Sequence, residues 1–225
     1  SGVPERAEVG LLTRNIVVRG DDASARSQFG GQVMMTGDGK AHISWTEFRL
    51  VGQKGVMGRY PIHFHQLGDA GTGSFVQNST IQQSFNRCIT IHGTNHVRLE
   101  GNVTYEAIGH CFYLEEGDEV GNILKNNLSL VTYGTATPLV PQDKSPVAFW
   151  ITNPNNTVVG NAAAEAGTAY WYPIFDKPIP FGRTGQDLSW MDKISPKFTP
   201  LGTFQGNVGH SSGQILFVEL GFKST

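Results

Sequence analysis

Short alternations of apolar and polar residues recur along the chain in one phase. The segments PIHFH, CITIH, CFYLE, AFWIT, AYWYP and ILFVE begin at residues 61, 88, 111, 148, 169 and 215, in steps of 27, 23, 37, 21 and 46. Their second positions are Ile62, Ile89, Phe112, Phe149, Tyr170 and Leu216, and their fourth are Phe64, Ile91, Leu114, Ile151, Tyr172 and Val218. Side chains alternate across a strand, so these two columns share a face, and their composition makes that face the interior. The third and fifth positions then point outward, as His63, Thr90, Tyr113, Trp150, Trp171 and Phe217, followed by His65, His92, Glu115, Thr152, Pro173 and Glu219. Steps of this length are the period of a solenoid, and the pattern predicts an all-β, right-handed parallel β-helix with loops at about 132–147 and 174–203.

A second register supports the first. VRLEGN, ILKNN and TVVGN place Asn102, Asn127 and Asn161 at equivalent turns, where stacked side-chain amides bond one another along the solenoid axis. RNIVVRG and HISWTEFRLVG read as further coils, and helical periodicity is sustained nowhere. The Pro-rich segment 173–200 reads as a long loop folded over one coil, so residues 1–225 are expected to form a single β-helix domain, excised from a larger protein.

Composition agrees with a turn-rich β protein, with 28 Gly and 11 Pro in 225 residues. A net charge of -2 recruits neither nucleic acid nor an anionic membrane, and no apolar run is long enough to span a bilayer. No phosphate-cradling glycine loop, cysteine quartet or G-x-S-x-G elbow is present, which removes nucleotide-dependent, zinc-finger and α/β-hydrolase chemistry. Cys88 and Cys111 share a column on adjacent coils and are open to a disulfide, a metal site or simple packing. Acceptor triplets for N-glycosylation occur at Asn78, Asn102, Asn127 and Asn155, and the amide ladder would bury Asn102 and Asn127.

The outward columns carry the candidate chemistry. Neighbouring strands lie about 4.8 Å apart and alternate residues about 6.7 Å apart, so His63, His65 and His92 converge on one patch with Glu115 a coil further on. Three imidazoles beside a carboxylate suit a divalent metal, zinc or a similar ion, with calcium also open. His96 and His110 are further candidates near turns. Tyr113 and Trp150, with Trp171 and Phe217, make an aromatic stripe suited to stacking sugar rings. Glu115 is the favoured acid or base for glycosidic cleavage, with His65 and His92 taking part directly or through the metal, and Glu116, Asp118 and Asp69 nearby. Arg59 and Arg87, each just before an aligned strand, are placed to hold a substrate carboxylate.

The motifs VGLLTRNIVVRG, GRYPIHFHQLGD, FNRCITIHGTNH, IGHCFYLEEGDE, FWITNPNNTVVGNAAA and TPLGTFQGNVGHSSGQILF resemble the β-helical region shared by the cell-migration-inducing hyaluronidase, the cell surface hyaluronidase and the fibrocystin-like proteins. The resemblance runs from about residue 9 to about 220. It implies a right-handed parallel β-helix, an extracellular or cell-surface setting and, in the hyaluronidase branch, hyaluronan or a related uronic-acid polysaccharide as substrate or ligand. It does not itself distinguish hydrolase, lyase and binding module. The G8 domain that those members carry upstream is expected to lie outside residues 1–225, and this chain carries the short YGTATPLVPQDKSPV where they have a long cysteine-containing insertion. It also reads Glu115-Glu116 where they tend to Glu-Asp, and His96 where they have Gly.

Overall fold

A computed structural model describes residues 7–219. Its strands form three parallel sheets, two of seven strands and one of six, and the chain visits them in turn, one strand of each per coil. The sheet that matters for function contains Val33–Met35, Ile62–Gly68, Ile89–Thr94, Phe112–Leu114, Val147–Trp150, Thr168–Pro173 and Gln214–Glu219. Its register is the one the alternation predicts. Ile62 pairs with Ile89, Ile89 with Phe112, Phe112 with Phe149, Phe149 with Tyr170 and Tyr170 with Leu216. Parallel stacking puts like upon like, so Phe112, Phe149 and Tyr170 form a column of nearly parallel rings with centroids 4.7 and 5.0 Å apart. Leu216 is 50% exposed, because no strand among the described residues stacks beyond its own.

The amide ladder is present and longer than expected. Asn102 Nδ2 donates to Asn127 Oδ1, Asn127 Nδ2 to Asn161 Oδ1 and Asn161 Nδ2 to Asn207 Oδ1, each at 3.0 Å. The backbone N–H of each ladder residue donates to the same oxygen, so every coil closes its turn on the next. The residue before each ladder position is left-handed in Gly101, Asn126, Gly160 and Gly206, which is why the motif reads Gly-Asn or Asn-Asn. A second ladder, Asn122 and Asn156, receives the N–H groups of Val97 and Asn122 at the neighbouring corner. Asn102 and Asn127 are buried within these bonds and are closed to glycosylation, whereas Asn155 is exposed.

Three features complete the fold. Among the described residues the one α-helix, Asp22–Ser27, is capped by the Asp21 side chain and buries no residue. The segments 134–146 and 174–202 are loops, as expected, with 3-10 turns at Pro141–Lys144, Met191–Lys193 and Pro196–Phe198. Cys88 and Cys111 form a disulfide inside the core, at the mouths of adjacent strands. The alternatives of metal ligation and simple packing are thereby excluded. Closing a loop over a separation of 23 residues stabilises by about 3 kcal/mol. The double variant Cys88→Ala, Cys111→Ala is expected to lose about 2–4 kcal/mol in urea titration, and reductant should destabilise only the parent.

Candidate functional site

His63, His65 and His92 do meet on the outer side of the sheet. His65 pairs with His92 across the strands Ile62–Gly68 and Ile89–Thr94, and His63 stands two residues earlier on the same face. The three rings offer ligand atoms that all lie within 4.8 Å of one another. The surface is covered, which corrects the expectation of an open wall. His63 and His92 are buried and His65 half-buried, beneath a strap made by the loop that follows Pro173. The rings line a cavity of about 170 Å³ together with Met57, Tyr60, Glu115 and Phe181.

Each ring is oriented by a specific partner. Nδ1 of His63 lies 3.0 Å from the Gly58 carbonyl oxygen, so it carries the proton and leaves Nε2 as a bare lone pair, buried with no protein partner. Nε2 of His92 lies 2.9 Å from Glu116 Oε1, and its Nδ1 faces His65 Nδ1 at 3.1 Å. Burial works against the charged form of His92, but the bond to Glu116 and the charges of Glu115, Glu116 and Glu119 outweigh it and raise its pKa. Burial, and then the charge of His92, push His63 down to about 3. Burial and the charges of His92 and Arg183 also lower His65.

Glu115 completes the group. One of its oxygens lies 3.7 Å from Arg87 and the other 3.7 Å from His92 Nδ1, and that second oxygen has no hydrogen-bond donor. Burial raises its pKa against the pull of His92 and Arg87, so it holds a proton more readily than an ordinary carboxyl.

Glu116 ties the strap to the histidines. Besides His92 it accepts from the Phe181 N–H at 2.6 Å and from Arg183 Nε at 2.7 Å, while the Ile179 N–H donates to its backbone carbonyl. Arg183 also reaches Asp118 at 3.2 Å. Its guanidinium lies across Gly93, where an added Cβ would stand 1.9 Å from Nη2 and where φ is +51, so this contact requires glycine. Glu119 is saturated by the N–H groups of Gly93, Glu115, Glu116 and Gly117 and by the Thr152 hydroxyl. In the acidic trio Glu116, Asp118 and Glu119 a cation is already present, since Arg183 pairs with Glu116 and Asp118.

The comparisons with known proteins agree with this architecture. The family model described as the CEMIP beta-helix matches residues 28–217. This chain belongs to the CEMIP β-helix family. It is 37% identical over 267 residues to cell surface hyaluronidase CEMIP2 of Homo sapiens, a match covering 100% of the chain and 19% of that protein. Against fibrocystin-L of Mus musculus it is 38% identical, covering 92% of the chain and 6% of that protein. Against communication mutant protein F of Dictyostelium discoideum it is 36% identical, covering 92% and 20%. The chain thus spans a fifth or less of the length of these relatives.

In this CEMIP β-helix the other expected site residues fall differently. The ring of Tyr113 is 1% exposed, with the Arg87 guanidinium 3.7 Å from its centroid and His110 stacked at 5.3 Å. Trp150 packs between His110, Tyr113 and Trp171 at 4.6, 5.6 and 5.1 Å. Parallel register makes such aromatics spend their faces on one another, which corrects the expectation of an open aromatic stripe. Arg59 is exposed and lines neither the histidine cavity nor its neighbour. Arg87 is fully buried among Tyr60, Tyr113, Glu115 and Asp143, which makes it a support for Glu115 rather than a clamp on substrate. His110 belongs to that support, accepting the Val147 N–H on Nδ1 and facing Asp143 at 3.3 Å. His96 is near Asp69 at the rim, away from the cavity. Sequence reasoning missed Arg183, Phe181 and the Gly58 carbonyl, all in loops whose path no periodicity reports.

Two of these buried imidazoles govern behaviour in acid. Burial pushes both His63 and His110 down to about 3, whereas the unfolded value is 6.5. Their folded pKa values are depressed, so the unfolded chain binds more protons and stability is lost as pH falls from 6.5 toward 3. Melting temperature is therefore expected to drop across that window, and His110→Gln, which keeps the acceptor for Val147, should flatten the drop.

Proposed function

We propose that this chain is the polysaccharide-cleaving β-helix of an extracellular or cell-surface protein, acting on hyaluronan or a related uronic-acid polymer. Its centre would be a divalent metal held by His63, His65 and His92, with Glu115 as acid or base. One observation carries this reading. The buried Nε2 of His63 is bare because its Nδ1 is committed to the Gly58 carbonyl, and the Nδ1 of His92 is left for a ligand by the bond from Nε2 to Glu116. Outer carboxylates and carbonyls fix the tautomer of metal-binding histidines in this way. Tetrahedral zinc at about 2.0–2.1 Å from each nitrogen sets neighbouring nitrogens about 3.4 Å apart. The 3.1 Å between His65 and His92 is close to that value.

A bound divalent ion would supply Lewis-acid polarisation of a substrate oxygen or acidify a water. Burial raises the pKa of Glu115, which suits it to act as the acid toward a leaving glycosidic oxygen, and it lines the histidine cavity with Phe181. The name of the human relative as a hyaluronidase supports the choice of polymer. No helix among the described residues is long and apolar enough to cross a membrane.

Incubation with hyaluronan of defined length is expected to shorten it, to stop with chelator and to resume on adding the metal back. Polymer of unchanged length with metal-loaded protein would overturn the reading, and a binding isotherm with intact polymer would make this a glycan-binding module. Because His92 must lose its proton to bind metal and its pKa is raised, affinity should fall about tenfold per pH unit below that pKa. Glu116→Gln is expected to weaken metal affinity by about 10–100-fold, read by competition with a chelator.

A further inference from the structure

A second, larger cavity of about 400 Å³ opens between the 134–146 loop and the strap, and it shares Glu115 and Phe181 with the histidine cavity. Its volume falls within the range of about 300–1,000 Å³ in which proteins hold small molecules. The walls are apolar, made by Leu139, Val140, Phe175 and Ile179. Its ionisable lining consists of Glu115, Glu219 and Tyr113, with no lysine, arginine or histidine among the described residues. An anion entering it would be stripped of water beside two carboxyl groups with no cation to receive it. Trp150 also lines it. The cavity therefore favours a neutral ligand with an apolar substituent.

We propose that this cavity is the subsite for the neutral N-acetylated sugar of the polymer, its acetamido group against the apolar wall and the adjoining uronate directed toward the histidines. The inference rests on the polysaccharide reading above and adds which of two alternating sugars sits on which side of Glu115. Selection comes from charge and from the methyl group.

The test uses two neutral probes of one linkage. Binding of a β-1,4-linked N-acetylglucosamine tetramer and a β-1,4-linked glucose tetramer is measured by calorimetry, with saturation-transfer NMR on the acetamido methyl. The acetylated tetramer is expected to bind about tenfold or more tightly than the glucose tetramer, its methyl protons being the most strongly saturated. Leu139→Trp, which fills the cavity from a half-buried position while keeping its backbone bond to Asp143, should abolish that preference with metal content unchanged. Equal affinities, no binding, or an unaltered preference in the variant would each overturn the proposal. Metal content and hyaluronan shortening are read on the same samples. Shortening without acetamido preference sinks the subsite alone, and preference without metal or shortening sinks the cleavage reading alone.

Discussion

Removing one half-buried imidazole, His65→Ala, is expected to abolish divalent metal binding and hyaluronan shortening while leaving the fold intact. The His65 side chain is held by a contact with His92 at 3.1 Å, and the backbone pairing of its strand does not depend on the imidazole. Its loss leaves His63 and His92 as the only imidazoles on the cavity, one ligand short of a three-histidine set. The parent should carry about one ion per chain, and the variant should lose at least about 100-fold in affinity. Metal analysis after gel filtration checks the first figure and chelator competition the second. An undiminished metal content in a folded variant would show that the histidines are not ligands. The melting temperature of the metal-free forms should agree within a few degrees, which separates a lost ligand from a lost fold.

Arg87→Ala is the substitution expected to cost most in stability. The guanidinium is completely buried, donates to Tyr60 Oη at 3.1 Å, lies 3.7 Å from the Tyr113 centroid and approaches Glu115 and Asp143 at 3.7 Å. Its removal leaves two buried carboxylates without their cation and empties the space beneath Tyr113. Breaking a buried ionic cluster from one side costs about 3–5 kcal/mol, a large part of the 5–15 kcal/mol by which domains are stable. The urea midpoint should fall accordingly. The deficit should narrow at low pH, because protonating Glu115, whose pKa burial raises, removes a charge that lost its partner. Arg87→Lys should restore little, since an ammonium cannot lie flat over Tyr113 while reaching two carboxylates. A loss below about 1 kcal/mol would mean that the network is not load-sharing in the way described.

How much of this was legible beforehand varies residue by residue. Ile62, Ile89, Phe112 and Phe149 announce their stacking because a period of two inside a period of one coil leaves a trace in composition. Asn102, Asn127 and Asn161 do so because only a short amide can close that turn from the next coil. The meeting of His63, His65 and His92 follows from the same register. Coverage does not follow. Tyr113 and Trp150 read as a sugar platform until it is known that Arg87, His110 and their own column neighbours occupy their faces. Arg183 lies in PIPFGRTG, a loop sequence with no periodicity, and Gly93 shows its purpose only when the guanidinium is seen lying across it.

Local alternation and the repeat were thus enough to determine the solenoid, its register and the three histidines on one side of one sheet, because a parallel stack converts spacing along the chain directly into adjacency in space. Which of those side chains meets solvent, which is held neutral and which is left with a bare lone pair was decided only by the tertiary structure. Those properties depend on two loops laid over the sheet, and a loop's path is set by a few long-range contacts such as Arg183 with Glu116 and Asp143 with His110, which leave no regular pattern in sequence.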